Sequence, residues 1–196
     1  MKRLSSGIAK ILILLSISML AIKSFAAAPE FGDFVGLPVQ TRLDHKWKSI
    51  TPPTAAEQRG WRDRFSSNVT FDVLEQLNLW ANTHIQFKSE AGDNWQSLGE
   101  SMTRGAGDCE DIAIAKYYIL KSLGVPEEDL FLVVGKDQVA RGDHAMLLVH
   151  LGNENYVLDN FISSVLPAEQ FLAAVLPEFA FSGSSSWLFA KRVHRF

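Results

Sequence analysis

Cysteine is almost missing from this chain: 196 residues contain one thiol, Cys109. No internal disulfide can form, so nothing of that kind staples the fold. Internal repeats, low-complexity tracts and long charged runs are missing too. So is any apolar stretch of the roughly twenty residues a spanning helix needs. The longest such run, Ile11 to Ile22, has about twelve. It follows Lys2, Arg3 and Lys10 and precedes Ser24-Phe25-Ala26, which puts small residues at the two positions a signal peptidase reads. That order is the pattern of a cleavable export leader over residues 1–26, not of a membrane anchor. No cysteine lies near the cut, so a lipid has no attachment point there.

A basic surface is absent as well. The leader holds four of the 19 basic residues and none of the 22 acidic ones, so the mature chain has 15 against 22, a formal net charge of −7. An acidic chain without a basic cluster gives nucleic acid no electrostatic footing, and nucleic acid is excluded as a partner. Residues 27–196 suffice for one domain with a core of its own. Export puts the lone thiol where disulfides form, so it is either buried and inert or chemically required.

Residues 27–66 are rich in Pro, Gly and isolated aromatics and read as irregular wrapping with one short helix. Apolar residues at Phe71, Leu74, Leu77, Ala81 and Ile85 follow a helical period over 70–87; residues 94–102 are ambiguous. The strongest helix signal is Cys109 to Leu123. Gly105-Ala106-Gly107 breaks what comes before, Asp108 is a good N-cap with Asp111 three residues on, and Gly124 and Pro126 end it. It is apolar on most sides and should be buried. Strands are expected at Leu130–Val134, His144–Leu151 and Asn155–Leu158, with Gly152-Asn153 a tight turn between the last two. The tail reads as an apolar helix near Ala168–Leu176, a Ser/Gly loop at 182–186 and a strand over Trp187–Ala190. Helices followed by consecutive strands predict an α+β domain, its antiparallel sheet packed on the central helix.

Cys109 sits in the first turn of that helix, where free N–H groups and the positive end of the helix dipole favour a nucleophilic thiolate. The plain alternative is a small side chain packing at a helix start. Asp108, Glu110 and Asp111 surround the thiol, and their negative charge should raise its pKa unless something offsets it. Capping accounts for two of these carboxylates. A bound hard cation such as Ca²⁺ would account for all three, although no EF-hand loop is present.

A cysteine nucleophile needs a base, and the base an orienting group. Of the five histidines, His144 opens a strand downstream of the helix, and Asp159 ends the next strand. A two-residue turn at Gly152-Asn153 puts residue 161 opposite residue 144. Asp159 is then the same-face diagonal neighbour of His144, roughly 7 Å away at Cβ. A shift of one residue would move Asp159 to the other face. His150 shares the face of His144 but lies beside the turn. Asp143, the rival carboxylate, is expected in the loop after Gly142, since adjacent strand residues point oppositely.

The order Gly107-Asp108-Cys109-Glu110-Asp111, then Asp143-His144-Ala145, then Leu158-Asp159-Asn160, resembles the bacterial transglutaminase-like cysteine proteinases, and within them the LapG-type periplasmic proteases. The match runs from about Ala91 to Leu166 and takes in Leu123-Gly124-Val125-Pro126. The resemblance implies a papain/transglutaminase-like fold over 27–196, with Cys109, His144 and Asp159 as a catalytic triad. It also implies calcium bound by Asp108, Glu110 and Asp111. The implied substrate is a large surface adhesin, whose cleavage controls attachment and biofilm, and the implied inhibitor an inner-membrane c-di-GMP receptor. The segment Asp93–Ser97 matches only in part, and Arg141-Gly142-Asp143 is closer to other branches of the wider family. Trp95 or Gln96 could supply a second oxyanion donor, or simply pack. An acyl transferase or amidase would use the same triad, and a non-catalytic peptide-binding module would use only the groove.

Overall fold

The computed structural model describes residues 28–90, 92 and 94–193. The leader expected over 1–26 lies outside them. Strands β1 (Glu30–Phe31) and β2 (Phe34–Pro38) precede helices α1 (Asp44–Ser49) and α2 (Ala55–Arg64). Helix α3 (Phe71–His84) leads through β3 (Gln86–Phe87), α4 (Leu98–Arg104) and β4 (Ala106–Gly107) to α5 (Cys109–Leu123). A 3₁₀ turn at Glu127–Asp129 opens β5 (Leu130–Asp137), followed by β6 (Asp143–Leu151) and β7 (Glu154–Leu158). The chain ends through β8 (Leu166–Pro167), α6 (Ala168–Phe171), β9 (Val175–Ser182) and β10 (Ser185–Lys191). No described helix is long and apolar enough to cross a membrane.

Helix α5 has the expected bounds because both ends are written into the sequence. The Asp108 backbone is extended and its N–H donates to Asp111 Oδ2 at 3.2 Å. Gly124 takes the left-handed conformation at φ +100° that ends the helix. Twelve of its fifteen residues are buried, which explains the lack of a polar face. It packs on β5 and β6, with α2, α3 and α4 against its other sides.

Eight strands form one antiparallel sheet in the order β1-β2-β10-β9-β5-β6-β7-β8. The period-two alternation of apolar strands decides which side chains meet α5. Leu130, Leu132, Ala145, Leu147 and Val149 join the helical core, whereas Phe131, Val133, Met146 and Leu148 pack on the far face with Phe31, Phe171 and Trp187. The α+β architecture expected from the sequence is the observed one. So is the hairpin register: Leu151 pairs with Glu154 and Leu147 with Leu158.

The chain's two ends differ from expectation. Residues 28–66 hold two strands and two helices, against an expected irregular wrapping with one short helix. Strand β2 exists because it pairs with the distant β10, Leu37 opposite Leu188, and such a partner leaves no local signal. Helix α2 starts at a capping box, Thr54 with Glu57. In the tail, the helix expected over 168–176 stops after Phe171, and Val175–Ser182 is a central strand between β5 and β10. Pro177 is tolerated there because the ladder with β5 shifts register between Val134 and Gly135, the kind of irregularity that admits proline. The Ser/Gly loop is a tight turn, Ser182 opposite Ser185, with Gly183 at φ +51°.

Gly135 is required at this irregularity, since a Cβ there would lie 2.4 Å from the Leu176 carbonyl oxygen. Gly135→Ala is therefore expected to destabilise the fold by about 1–3 kcal/mol, as overpacking does. Urea unfolding checks this; an unchanged midpoint would contradict it.

Candidate active site

The start of α5 and the start of β6 meet at one cavity of about 230 Å³, lined by Cys109, Glu110, His144, Ala145 and Trp95 among others. Cys109 reaches it because Gly107 and Asp108 bring the chain in extended and the helix begins at the thiol itself. The Ala145 backbone, beside it on the cavity wall, pulls the thiol pKa down. The thiol in turn donates to Glu110 Oε2 at 3.1 Å. Burial first, then the Glu110 carboxylate, pushes the Cys109 thiol well above its ordinary pKa. Of the three carboxylates expected to raise the thiol, Glu110 and then Asp108 do so, whereas Asp111 is not among the causes.

His144 and Asp159 are 5% and 2% exposed, and His144 Nε2 lies 2.5 Å from Asp159 Oδ2. The β6–β7 register makes this contact possible, and the carboxylate acceptor fixes the proton on Nε2. Nδ1 remains as the other ring nitrogen. Asp159 is itself held from three sides. Its Oδ1 accepts the Phe161 N–H at 2.7 Å, and its backbone carbonyl accepts from Asn82 Nδ2 at 2.8 Å and from Lys116 Nζ at 3.0 Å. Lys116 is wholly buried in α5, where burial lowers its pKa to about 7 against the opposing pull of Asp159. It was not singled out from the sequence. Its signal was available as the one charged side chain within residues 112–120.

The rivals of these residues lie elsewhere. Asp143 is the first residue of β6, not part of the preceding loop, and forms an exposed ion pair with Lys136. His150 bonds Asn155 Oδ1 at 2.9 Å beside the turn, and His84 stacks on Trp80 at 4.4 Å. His194 lies outside the described residues. Gln96 is not free for an oxyanion, because its backbone N–H donates to Asp111 Oδ1 at 2.7 Å and its side-chain amide to Asp111 Oδ2. Trp95 forms cavity wall and meets Phe181 edge-on at 5.6 Å.

The three carboxylates divide their work. Glu110 turns to the thiol, and Asp111, fully buried, takes N–H groups of Gln96 and Asp108. Asp108 Oδ1 is buried with no hydrogen-bond partner. Burial and the Glu110 charge push Asp108 up to about 7, and burial, aided by Asp108 and Glu90, does the same to Asp111. Among the described residues, no three His, Cys, Asp or Glu side chains converge closely enough to hold an ion as they stand. In donor chemistry the set does fit a hard cation: it offers oxygen ligands only, one of them an orphaned buried oxygen, and two carboxyls short of positive charge.

A carboxyl with a raised folded pKa holds its proton better folded than unfolded. It favours folding at low pH and loses that advantage as pH rises from 3.8 to about 7. Carboxyls lowered by hydrogen bonds, such as Asp44 and Asp137, lose their contribution only as pH falls below 3.8. In EGTA, the urea midpoint is therefore expected to be higher at about pH 5 than at about pH 6.5. The reverse order would contradict the account of these two carboxyls.

The sequence profile of the bacterial transglutaminase-like cysteine proteinases matches residues 54–174, which run from the cap of α2 through Cys109, His144 and Asp159. The chain is a bacterial transglutaminase-like cysteine proteinase. The proteinase also resembles solved structures of LapG from Legionella pneumophila. One is 24% identical with a TM-score of 0.59, covering 78% of this chain and 90% of that one. The calcium-bound form of LapG gives the same identity and TM-score over 76% and 88%. The EGTA-treated form again gives 24% and 0.59, over 78% and 87%. No curated protein sequence matches the proteinase.

Proposed function

We propose that this cysteine proteinase is an exported, calcium-supported endopeptidase in which Cys109 is the nucleophile, His144 the base and Asp159 its orienting carboxylate. The observation that carries this reading is the buried hydrogen bond between Asp159 and His144, the latter lining the same cavity as the thiol presented by α5. His144 takes the proton of Cys109 through Nδ1, Asp159 holds the tautomer and stabilises the imidazolium, and sulfur attacks the peptide carbonyl. Backbone N–H groups of the first turn, that of Cys109 above all, receive the oxyanion. The amine leaves with the proton from His144, and water then releases the acyl group.

Asp108, Glu110 and Asp111 would hold calcium. The ion supplies positive charge to carboxylates that otherwise crowd the thiol. The orphaned Asp108 oxygen, the raised pKa values of Asp108 and Asp111, and the existence of a calcium-bound LapG support this part. The substrate we propose is a large surface adhesin, cut in the periplasm after the leader over 1–26 is removed, with consequences for attachment and biofilm. An inner-membrane c-di-GMP receptor would restrain it. Support for these assignments is the motif resemblance around Cys109, His144 and Asp159.

The test is incubation of the mature protein with the N-terminal region of such an adhesin, in calcium and in EGTA. Cleavage is expected in calcium and its loss in EGTA. Calcium should also raise unfolding stability, by about 2.7 kcal/mol at a hundredfold excess over Kd. Equal cleavage and equal stability in both buffers would remove calcium from the account. No cleavage of the adhesin alongside cleavage of other peptides would remove the substrate.

A further inference from the structure

Phe161 and Phe87 are large aromatic side chains left 62% and 44% exposed, with ring centroids 5.1 Å apart. Phe161 also lies nearly parallel over the His144 ring, at 5.4 Å and 17°. Neither phenylalanine lines the cavity, so the imidazole stands between cavity and aromatic pair. Phe87 closes the far end of this shelf: it pairs with Gly107 across β3 and β4, two residues before the thiol. The loop bearing Phe161 is fixed, since Asn78 Nδ2 donates to the carbonyls of Ile162 and Ser163 at 2.8 and 2.9 Å and Asn82 Nδ2 to that of Asp159. Shielding of the His144–Asp159 hydrogen bond from water would explain Phe161. It leaves the exposure of Phe87 unexplained.

Acylation forms the bond from sulfur to the carbonyl carbon and breaks the bond to nitrogen. The departing nitrogen takes the proton that His144 removed from Cys109. The leaving half of a substrate must therefore pass close to the imidazole, and whatever flanks that ring borders the leaving side. We propose that Phe161 and Phe87 form the subsite for an apolar side chain in the first two positions C-terminal to the scissile bond, an inference that rests on the proteolytic reading above. A preorganised aromatic shelf gains affinity from apolar contact without an ordering penalty, and it offers a charged side chain no partner. Discrimination of about tenfold between apolar and acidic side chains is the scale such a surface supplies.

The experiment digests a proteome-derived peptide library with the mature protein and with two variants, and sequences the products by mass spectrometry. The wild type is expected to enrich Leu, Ile, Met or Phe over Asp and Glu by about tenfold on the leaving side. Phe87→Ala, which leaves His144 untouched, should flatten that preference while the acyl-side preference persists. Phe87→Lys should turn it toward acidic residues. Cuts without apolar enrichment on the leaving side, or a preference that survives in both variants, would overturn the subsite and leave the proteinase standing. No cut by the wild type at all would overturn the proteolytic reading and this subsite with it.

Discussion

Cys109→Ala is expected to lower peptide cleavage by about 10⁴-fold or more, to the level of the buffer, while the chain folds as before. The magnitude follows from the part proposed for sulfur: without it no acyl intermediate would form, and His144 would have no proton to take. The fold should survive because Cys109 is only half-buried, at the rim of the helical core. A secondary effect falls on Glu110. Glu110 loses the proton donor on which it rests at 3.1 Å and turns to water through the open cavity. Circular dichroism and the urea midpoint should match the wild type within experimental error. Cleavage that persists in the variant would place the chemistry elsewhere in the molecule.

Asp159→Asn should lower kcat by about 10²–10⁴-fold with little change in KM. The carboxylate accepts at both oxygens, from His144 through Oδ2 and from the Phe161 N–H through Oδ1 at 2.7 Å. An asparagine keeps its oxygen on the Phe161 N–H, which holds the loop, and so turns its amide toward His144 Nε2. Two donors then face each other unless the imidazole shifts its proton to Nδ1, the nitrogen proposed to accept from the thiol. The backbone carbonyl of residue 159 still accepts from Lys116 and Asn82, so the side chain stays in place and the loss falls on chemistry. A fall in KM-dependent binding with an unchanged kcat would contradict the role given to Asp159.

What could be read from the sequence, and what could not, divides by the range of the interactions involved. Helix α5 was legible because Asp108, Asp111 and Gly124 act on their own neighbours. The β6–β7 hairpin was legible for the same reason. A two-residue turn at Gly152-Asn153 sets every pair in it, and so brings His144 and Asp159 together. Strands β2 and β9 were not, because their partners are distant and Pro177 argues locally against a strand that a shifted ladder in fact accommodates. Within the site, the commitment of Gln96 to the Asp111 carboxylate and of Lys116 to the Asp159 backbone carbonyl joins residues 15 and 43 apart in the chain. Asp143 shows the converse. Its neighbour His144 made it a rival in sequence, whereas strand pairing sets it opposite Lys136 at the surface.

The most direct measurement is the mass of the protein quenched in acid during turnover of a peptide substrate, followed by mapping of any adduct. The account predicts a thioester-linked acyl group on Cys109, absent from Cys109→Ala and accumulating less in His144→Ala. Turnover with no adduct on Cys109, or with the acyl group on another residue, would contradict it.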